Sequence, residues 1–532
     1  MTEWLIDNAE SYDRLVLAIR SAQRSVWITQ LAFDADCVAH GQDGTRGTVL
    51  SETLVALAER RPVDIRILLN ATLLLDTATL LRRFFDARAA RGGLVGRIRV
   101  RGVQHFPDIL HLKVVIVDGR EALIFGSPFA NGYWDDARHA PRDRRRVVRE
   151  LGGRPVHDVS LGVTGDAAER LAEIFAELWS EATARGWEGP PREVRRLERR
   201  VGNGPAPARA PVAPSAPALG APVPAEAPAP DRAAGRTRVV LTLPRGAVHS
   251  RPEGATEILD TLLDGLARAR SLIYIEQQYL SSRRVIDALA AALARASELE
   301  LIVVLNQNPD ITAYLRWQNA RLAEGGLLSH PRAGVFALWS TAPSSKRPGA
   351  LDLNQVFVHS KVVVVDDRWA TVGTANLDGM SLHSYGDDFN GRVGRRVFRD
   401  VRNFEVNVVV RDDPANGARA GSVADLRTRL WSEHLARPAA EFGARPAGGW
   451  LPVWRAAAAR LVETLGRRAQ GGRANGVAGT VGRVLAYSPR ATPSAQLAGL
   501  GVPLDAAALE LCFNPTWLEA HTSPNWIRNM FL

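Results

Sequence analysis

Hydrophobic and polar positions follow two recurring patterns along this chain. In one, apolar residues return every three or four positions, which predicts amphipathic helices. In the other, a short β-branched run is apolar throughout, which predicts strands buried on both faces. The two patterns alternate along the sequence. Strands that alternate with helices are typical of an α/β fold.

The series of predicted elements occurs twice. Each half has a helix and strand, a strand ending in Asn, a strand opened by His-x-Lys, a later strand carrying an acidic residue, and a helix bearing Trp. The matching segments are 14–30 and 257–280, 63–70 and 299–306, 111–118 and 359–366, 157–163 and 404–410, and the surroundings of Trp179 and Trp431. Because equivalent residues lie 247 or 248 positions apart, we predict two tandem α/β/α sandwich domains. Each would have a mixed central sheet, and a pseudo-twofold axis would place the active site at their interface.

A segment of almost pure Ala and Pro separates the two halves. Such a segment cannot bury enough apolar surface to fold, and its prolines favour an extended chain. We therefore divide the sequence into an N-terminal domain at 1–202, a linker at 203–236, a C-terminal domain at 237–437 and an extension of unassigned role at 438–532.

Composition limits the classes of binding partner and the cellular locations that we expect for this protein. The chain has 532 residues and a net charge of +10, which favours anionic partners such as lipid, nucleic acid or a phosphorylated substrate. Cys37 and Cys512 form no spaced cluster, so neither a disulfide framework nor a zinc-binding motif is indicated. The sequence shows neither a secretory signal nor an apolar run of about 20 residues. We expect a cytoplasmic protein, peripheral to membranes if it meets them, and export by a signal-independent route stays open.

The pattern His-x-Lys-x-x-x-x-Asp stands at equivalent places in both halves. Its members are His111, Lys113 and Asp118 in the first half and His359, Lys361 and Asp366 in the second. Only three of the 67 basic residues are lysines, and two of them stand in this motif. Residues two apart on a strand share a face, so each His projects beside its Lys. The duplication therefore predicts one catalytic site built from both motifs.

Further polar residues follow the motifs at matching positions. A turn of small residues carries Thr374 and Asn376 in the second half, and its counterpart carries Ser127 and Asn131; we expect these four side chains to bind phosphate. Two carboxylates, Asp158 and Glu405, occupy matching strand positions and are the candidates for orienting the two imidazoles.

Two histidines with two lysines suit double displacement at phosphorus. One neutral imidazole attacks a phosphodiester and forms a phosphohistidine, while the other donates a proton to the leaving oxygen and later activates water or an alcohol. The lysines and polar donors stabilise the charge that builds on the non-bridging oxygens. We therefore expect no metal and no cofactor. The other nine histidines, among them His139, His157 and His434, receive no functional assignment.

These motifs resemble those of the phospholipase D superfamily. The similarity is closest in IYIEQQYL at 273–280, VHSKVVVVDDRWATVGTAN at 358–376 and LWSEHL at 430–435, and it extends to VHDVSLGV at 156–163. The resemblance implies that His111 is the nucleophile and His359 the general acid. It also implies structural roles for the two motif aspartates and a pocket lined by Glu276 and Gln277.

Several functions remain open at this point. The leading one is a phospholipase D or phosphatidyltransferase that acts on glycerophospholipids at a membrane surface, with water or an alcohol as acceptor. Cardiolipin or phosphatidylserine synthesis differs from it mainly in the acceptor. A nuclease fits the positive charge, but nucleic acid is the less favoured partner because many such nucleases carry one motif per chain. We expect a monomer that forms an internal pseudo-dimer.

Overall fold

The computed structural model describes residues 2–42, 47–71, 77–105, 108–147, 151–186, 236–384, 386, 400–412, 419–469, 482–502 and 508–512. The predicted linker lies outside these residues except for Arg236. Strands of the first half are β1 (Thr2–Ile6), β2 (Ser25–Gln30), β3 (Val38–Ala39), β4 (Thr48–Val49), β5 (Asp64–Asn70), β6 (Arg97–Val103), β7 (Ile109–Leu110), β8 (Val114–Val117), β9 (Glu121–Ile124), β10 (Val156–His157) and β11 (Val159–Thr164).

Later strands are β12 (Thr237–Leu243), β13 (Ala255–Thr256), β14 (Leu272–Gln277), β15 (Glu300–Leu305), β16 (Ala333–Pro343), β17 (Leu351–Gln355), β18 (Phe357–Val358), β19 (Lys361–Val365), β20 (Trp369–Gly373), β21 (Asn403–Arg411), β22 (Val484–Ala486) and β23 (Leu509–Leu511). The helices are α1 (Asp7–Ser21), α2 (Leu50–Arg60), α3 (Thr77–Ala90), α4 (Asp166–Ala184), α5 (Glu257–Arg268), α6 (Arg283–Arg295), α7 (Thr312–Glu324), α8 (Gly379–Leu382), α9 (Val423–Leu435), α10 (Leu451–Ala469) and α11 (Pro493–Gly499). The predicted mixed α/β class is confirmed.

The two main sheets repeat one strand order. The first runs β1-β11-β9-β8-β2-β5-β6, and the second contains the equivalent run β12-β21-β20-β19-β14-β15-β16. In each sheet the central strand pairs in parallel with one neighbour, β2 with β5 and β14 with β15, and antiparallel with the motif strand, β8 or β19. Because the two orders match, equivalent residues of the two motifs occupy equivalent places in their sheets.

The motif strands are buried on both faces, as their β-branched sequences predict. Along β19, Val362 and Val364 enter a core that is shared by the two halves, whereas Val363 and Val365 enter a core under the helices of the second half. The same division holds for β8, where Val114 and Ile116 face the shared core. Strand alternation therefore puts each motif lysine on the face of its sheet that lies opposite the shared core.

Two short parallel ladders join the halves beside the motifs. Strand β7 pairs with β21, and β10 pairs with β18. The ladders continue into the motif histidines: the His111 N–H donates to Phe404 O at 3.1 Å, and the His359 N–H donates to His157 O at 2.8 Å. Each motif histidine is thus held by the backbone of the opposite half.

The extension after residue 437 packs on the second half in the part that the structure describes. Trp450 and Trp454, at the start of α10, enter the shared core beside Trp431. Strand β22 pairs with β16, and β23 pairs with β17. None of the described helices is long and apolar enough to cross a bilayer.

Candidate active site

Each motif histidine bonds to a carboxylate of the opposite half. His111 Nδ1 lies 2.8 Å from both carboxylate oxygens of Glu405, and His359 Nδ1 lies 3.0 Å from Asp158 Oδ2. Both carboxylates are buried, so each strongly prefers a proton donor. The contact therefore fixes the imidazole proton on Nδ1 and leaves the lone pair on Nε2. Asp158 and Glu405 were predicted as the orienting residues, and the structure pairs them crosswise.

Polar groups hold the two carboxylates in place. Asp158 accepts a short hydrogen bond from Ser127 Oγ. Glu405 accepts bonds from Thr374 Oγ1 at 2.6 Å, Ser381 Oγ at 2.8 Å and Asn403 Nδ2 at 2.9 Å. A hydroxyl has one proton to donate, and Ser127 and Thr374 each give theirs to a carboxylate, while their role in binding phosphate stays a prediction.

Gly126 lets the Asp158 carboxylate come close to the turn. A Cβ at residue 126 would lie 1.8 Å from Asp158 Oδ1, inside the carboxylate itself. The equivalent Gly373 is also needed, because a Cβ there would lie 2.3 Å from Asn407 Oδ1 and from Val406 O. The glycine of each turn is therefore required by packing against the neighbouring strand.

The two motif lysines are buried beside the histidines. Lys113 Nζ donates to His111 O at 3.0 Å, and Lys361 Nζ donates to Gln278 Oε1 at 3.0 Å and also to His359 O. Both lysines are at most 1% exposed. A buried ammonium is costly unless anions compensate it, and the carboxylates of Asp158 and Glu405 act on both lysines in this way.

Burial sets the protonation of the site. It lowers the pKa of His111 to about 4, against the opposing effect of Glu405. Burial and the Lys361 ammonium lower the pKa of His359 to about 3. Burial likewise lowers the pKa of Lys113 to about 7 and that of Lys361 to about 8. Both imidazoles are therefore neutral near pH 7, and the lysines can change charge in the same range.

The motifs also act on each other across the interface. Lys361 helps to lower the pKa of His111, and Lys113 helps to lower that of His359. For Asp158, burial raises the pKa, but the charges of His359 and Lys361 and the bond from Ser127 outweigh it and hold the pKa below its ordinary value. The charged groups of each motif thus affect the pKa values of groups in the other.

The motif aspartates lie at the far end of their strands. Asp118 accepts from the backbone N–H groups of residues 23–25 at 2.7–2.9 Å, and Asp366 accepts from those of residues 270–272 at 2.8 Å. Six residues lie between each aspartate and its histidine, a distance of about 20 Å when the chain is extended. Their inclusion among the catalytic residues is therefore revised: they cap the start of β2 and β14, the structural role that the resemblance implied.

Asn131 and Glu276 have partners away from the imidazoles. Asn131 holds the neighbouring loop, because its Oδ1 accepts from Val38 N at 2.9 Å and its Nδ2 donates to Asp36. Glu276 is fully buried and lies 3.0 Å from His157 Nε2 and 2.7 Å from His434 Nε2. Glu276 is thus held by two histidines, and its place in the pocket lining stays a prediction.

Asn376 and Gln277 retain unsatisfied polar atoms. The side-chain oxygen of each is buried and has no hydrogen-bond partner among the described residues. Gln277 pairs with Lys361 in the sheet register and therefore shares its face. Both residues stay candidates for contact with substrate.

Three supporting residues were missing from the sequence-based set: Gln278, Ser381 and Asn403. Asn403 stands two positions before Glu405 on the same strand, so strand alternation alone could have identified it. Gln278 and Ser381 come from a strand end and a short helix, and no local pattern indicates that they meet a lysine or a carboxylate.

Comparisons with known proteins agree with the motif pattern. Residues 262–418 match the family model described as cardiolipin synthase, PLD-like domain. Over 213 residues the chain is 26% identical to phospholipase D zeta 1 of Arabidopsis thaliana, which covers 32% of this chain and 18% of that protein. Over 207 residues it is 23% identical to phospholipase D of Phytophthora infestans, covering 32% of this chain and 11% of that protein. The matches thus span a fifth or less of these relatives.

Among solved structures, phosphatidylserine synthase from Haemophilus influenzae Rd KW20 matches with a TM-score of 0.45 and 12% sequence identity. The match covers 77% of this chain and 82% of that one.

Proposed function

Because this chain belongs to the phospholipase D superfamily, we propose that it cleaves the head-group phosphodiester of glycerophospholipids through a phosphohistidine. The products are phosphatidic acid when water is the acceptor and a new phospholipid when an alcohol is. The observation that carries the proposal is the crosswise pairing of two neutral imidazoles with two buried carboxylates beside two lysines.

In the first step, His111 Nε2 attacks phosphorus and the bond to the head-group oxygen breaks. The Nδ1 proton stays on the side of Glu405, which stabilises the positive charge that develops on the ring. His359 supplies the proton to the leaving alcohol oxygen. Its pKa of about 3 belongs to the site without substrate, where burial and then repulsion by Lys361 disfavour the imidazolium. A bound phosphodiester anion offsets that repulsion, so substrate binding favours the protonated ring.

In the second step, water or an alcohol attacks the phosphohistidine and the phosphorus–nitrogen bond breaks. His359, now neutral, accepts the proton of the attacking oxygen, and Asp158 holds its ring as Glu405 holds that of His111. Lys113 and Lys361 neutralise the non-bridging oxygens in both steps, with Asn376 as a further donor. No step is routed through a metal.

A transferase is the second candidate, and the family description matched by residues 262–418 favours it. Cardiolipin synthesis uses the same phosphatidyl-enzyme with the hydroxyl of another lipid as acceptor. The two candidates differ only in what reaches the phosphohistidine. In both cases we expect the protein to act peripherally at a membrane surface.

The test presents mixed phospholipid vesicles and a primary alcohol, and follows all lipids by mass spectrometry. We expect phosphatidic acid and the phosphatidyl-alcohol with the wild type and neither product with His111→Ala. His249→Ala is the matched control, because the His249 side chain is 76% exposed and outside the site. A second set of vesicles contains phosphatidylglycerol without added alcohol, and cardiolipin formed there assigns the transferase. If lipids stay unchanged while single-stranded DNA is cut in a His111-dependent way, the lipid proposal is replaced by a nuclease.

A further inference from the structure

A second cluster of histidines and carboxylates lies behind the catalytic pair. Asp7, His139, His157 and Glu433 bring their ligand atoms within 4.8 Å of one another. Asp7 begins α1, His139 lies on a loop, His157 ends β10, and Glu433 comes from α9 of the second half. The side chains of the first three are at most 1% exposed, and that of Glu433 is 11% exposed. The cluster therefore joins both halves and is closed on most sides.

We propose that these four residues bind a divalent transition metal, of which zinc is the best fit. Two imidazole nitrogens with two carboxylates suit zinc, whereas calcium and magnesium prefer an all-oxygen set. This site is separate from the imidazole pair, so the inference does not depend on the proposed function.

Four of the distances in the cluster are close to the edge of a tetrahedron around zinc, with Asp7 placing a different oxygen beside each histidine. Bonds of about 2.0–2.1 Å around zinc place neighbouring ligand atoms about 3.3 Å apart. Glu433 Oε1 lies 3.0 Å from His139 Nε2 and 3.2 Å from His157 Nδ1. Asp7 Oδ1 lies 3.0 Å from His157 Nδ1, and Asp7 Oδ2 lies 3.6 Å from His139 Nε2. One ion at the centre can therefore reach all four residues with small adjustments.

One oxygen of the cluster is buried without a hydrogen bond to compensate its loss of solvation. Asp7 Oδ2 is buried and has no hydrogen-bond partner among the described residues. Its 3.6 Å distance from His139 Nε2 is too long for a hydrogen bond. A buried carboxylate oxygen without a partner is costly, and a bound cation removes that cost.

The outer nitrogens of both histidines have the partners that metal-bound histidines use. His139 Nδ1 lies 3.0 Å from Asp135 Oδ2, and His157 Nε2 lies 3.0 Å from Glu276 Oε2. A carboxylate on the outer nitrogen holds the proton there and leaves the inner nitrogen free to coordinate. The inner nitrogens each lie 3.0 Å from a carboxylate oxygen, His139 Nε2 from Glu433 Oε1 and His157 Nδ1 from Asp7 Oδ1, so a bound metal would replace a proton on each ring.

A cavity gives access to the cluster. It has a volume of about 590 Å³, and its charged lining consists of four carboxylates and three arginines: Asp7, Glu10, Asp136, Glu433, Arg138, Arg429 and Arg483. Glu433, the most exposed of the four, is thus the ligand through which an ion would enter. Once bound, the ion would fix β10 and so the neighbouring Asp158, which gives the site a positioning role.

The test measures metal directly on the full chain, purified with a tag that contains no histidine. After incubation with zinc and removal of the excess, we expect about one zinc per chain by elemental mass spectrometry. Cobalt bound in its place should give the intense visible absorption of a four-coordinate site. His139→Gln should bind at least tenfold less of either metal, whereas the exposed control His249→Gln should bind as the wild type does.

Two outcomes would overturn the proposal. One is wild-type protein that retains less than a tenth of an equivalent of zinc and leaves cobalt with its weak aqueous spectrum. The other is a folded His139→Gln variant that binds both metals as well as the wild type. The wild-type cobalt spectrum decides the question even if the variant does not fold.

Discussion

Replacing Asp158 with Asn tests the crosswise pairing, because Asp158 belongs to the first half and its imidazole partner, His359, to the second. Asn has the same shape but no charge, and it can donate a hydrogen bond to Nδ1 and so move the ring proton to Nε2. The variant should therefore behave as a damaged general acid. It should not behave as a damaged nucleophile, although His111, the proposed nucleophile, is in the same half.

The size of the effect follows from the geometry. Asp158 Oδ2 lies 3.0 Å from His359 Nδ1, so the centres of charge on the carboxylate and an imidazolium are about 4 Å apart. At the effective dielectric constant of about 20 that suits such sites, the attraction is about 4 kcal/mol. Losing it as the ring becomes charged would slow the proton transfer by about a thousandfold. Glu405→Gln should have a similar effect on the attack by His111.

A p-nitrophenyl phosphodiester separates the two halves of the mechanism, because p-nitrophenolate leaves without a proton. Asp158→Asn and His359→Ala should still release a burst of about one p-nitrophenolate per chain, followed by slow turnover as the phosphohistidine waits for a base. Glu405→Gln and His111→Ala should lose the burst. On phosphatidylcholine, whose choline leaving group needs a proton, all four variants should fail.

The reasoning is refuted if Asp158→Asn loses the burst while Glu405→Gln keeps it, since each carboxylate would then serve the histidine of its own half. Combining Asp158→Asn with His359→Ala gives a second check. Two residues that act as a unit are strongly non-additive, so the double variant should be about as slow as His359→Ala alone. Thermal melting of each variant confirms that it is folded.

Three further predictions concern the lysines and the glycine turn. Lys113→Met should abolish activity yet raise the free energy of unfolding by about 2–4 kcal/mol at pH 7, measured in urea. The reason is that lowering a lysine pKa from 10.5 to about 7 costs about 5 kcal/mol, less about 1 kcal/mol for one hydrogen bond. That cost is complete below about pH 7 and fades towards pH 10.5, so wild-type stability should rise with pH across this window, and a flat profile would contradict it. The value of kcat/KM should fall as the pH rises through about 7 and 8, because the motif lysines lose their protons there. Gly126→Ala should reduce activity at least a hundredfold by displacing Asp158, whereas Gly448→Ala, which has open space around its Cβ, should not.

Much of the site could be predicted because its residue types recur at equivalent positions in the two halves. The scarcity of lysine identified Lys113 and Lys361, and equal spacing identified Asp158 and Glu405. The pairing could not be predicted, because spacing is the same whether each carboxylate serves its own half or the other. Only the docking of the halves, through the β7–β21 and β10–β18 ladders, decides between them.

Other differences have local causes. Strand alternation puts Glu276 on the face of Tyr274, towards the shared core, and the period of two along β14 already contained that information. The role of Ser127 depended on the position of the Asp158 carboxylate, which lies 31 residues further on. The predicted linker at 203–236 falls almost entirely outside the described residues, and the division into domains stays a prediction.

The crosswise pairing makes each half chemically incomplete. Without the second half, His111 would lose Glu405 together with the backbone bond from its N–H to Phe404 O. The interface also buries charged groups at its centre, and such groups cost more in desolvation than an apolar interface would. The large core shared by both halves offsets that cost, while the buried carboxylates restrict the docking to the one arrangement that satisfies them. Stability and catalysis are therefore decided at the same surface, and a substitution that loosens the ladders should impair both imidazoles at once.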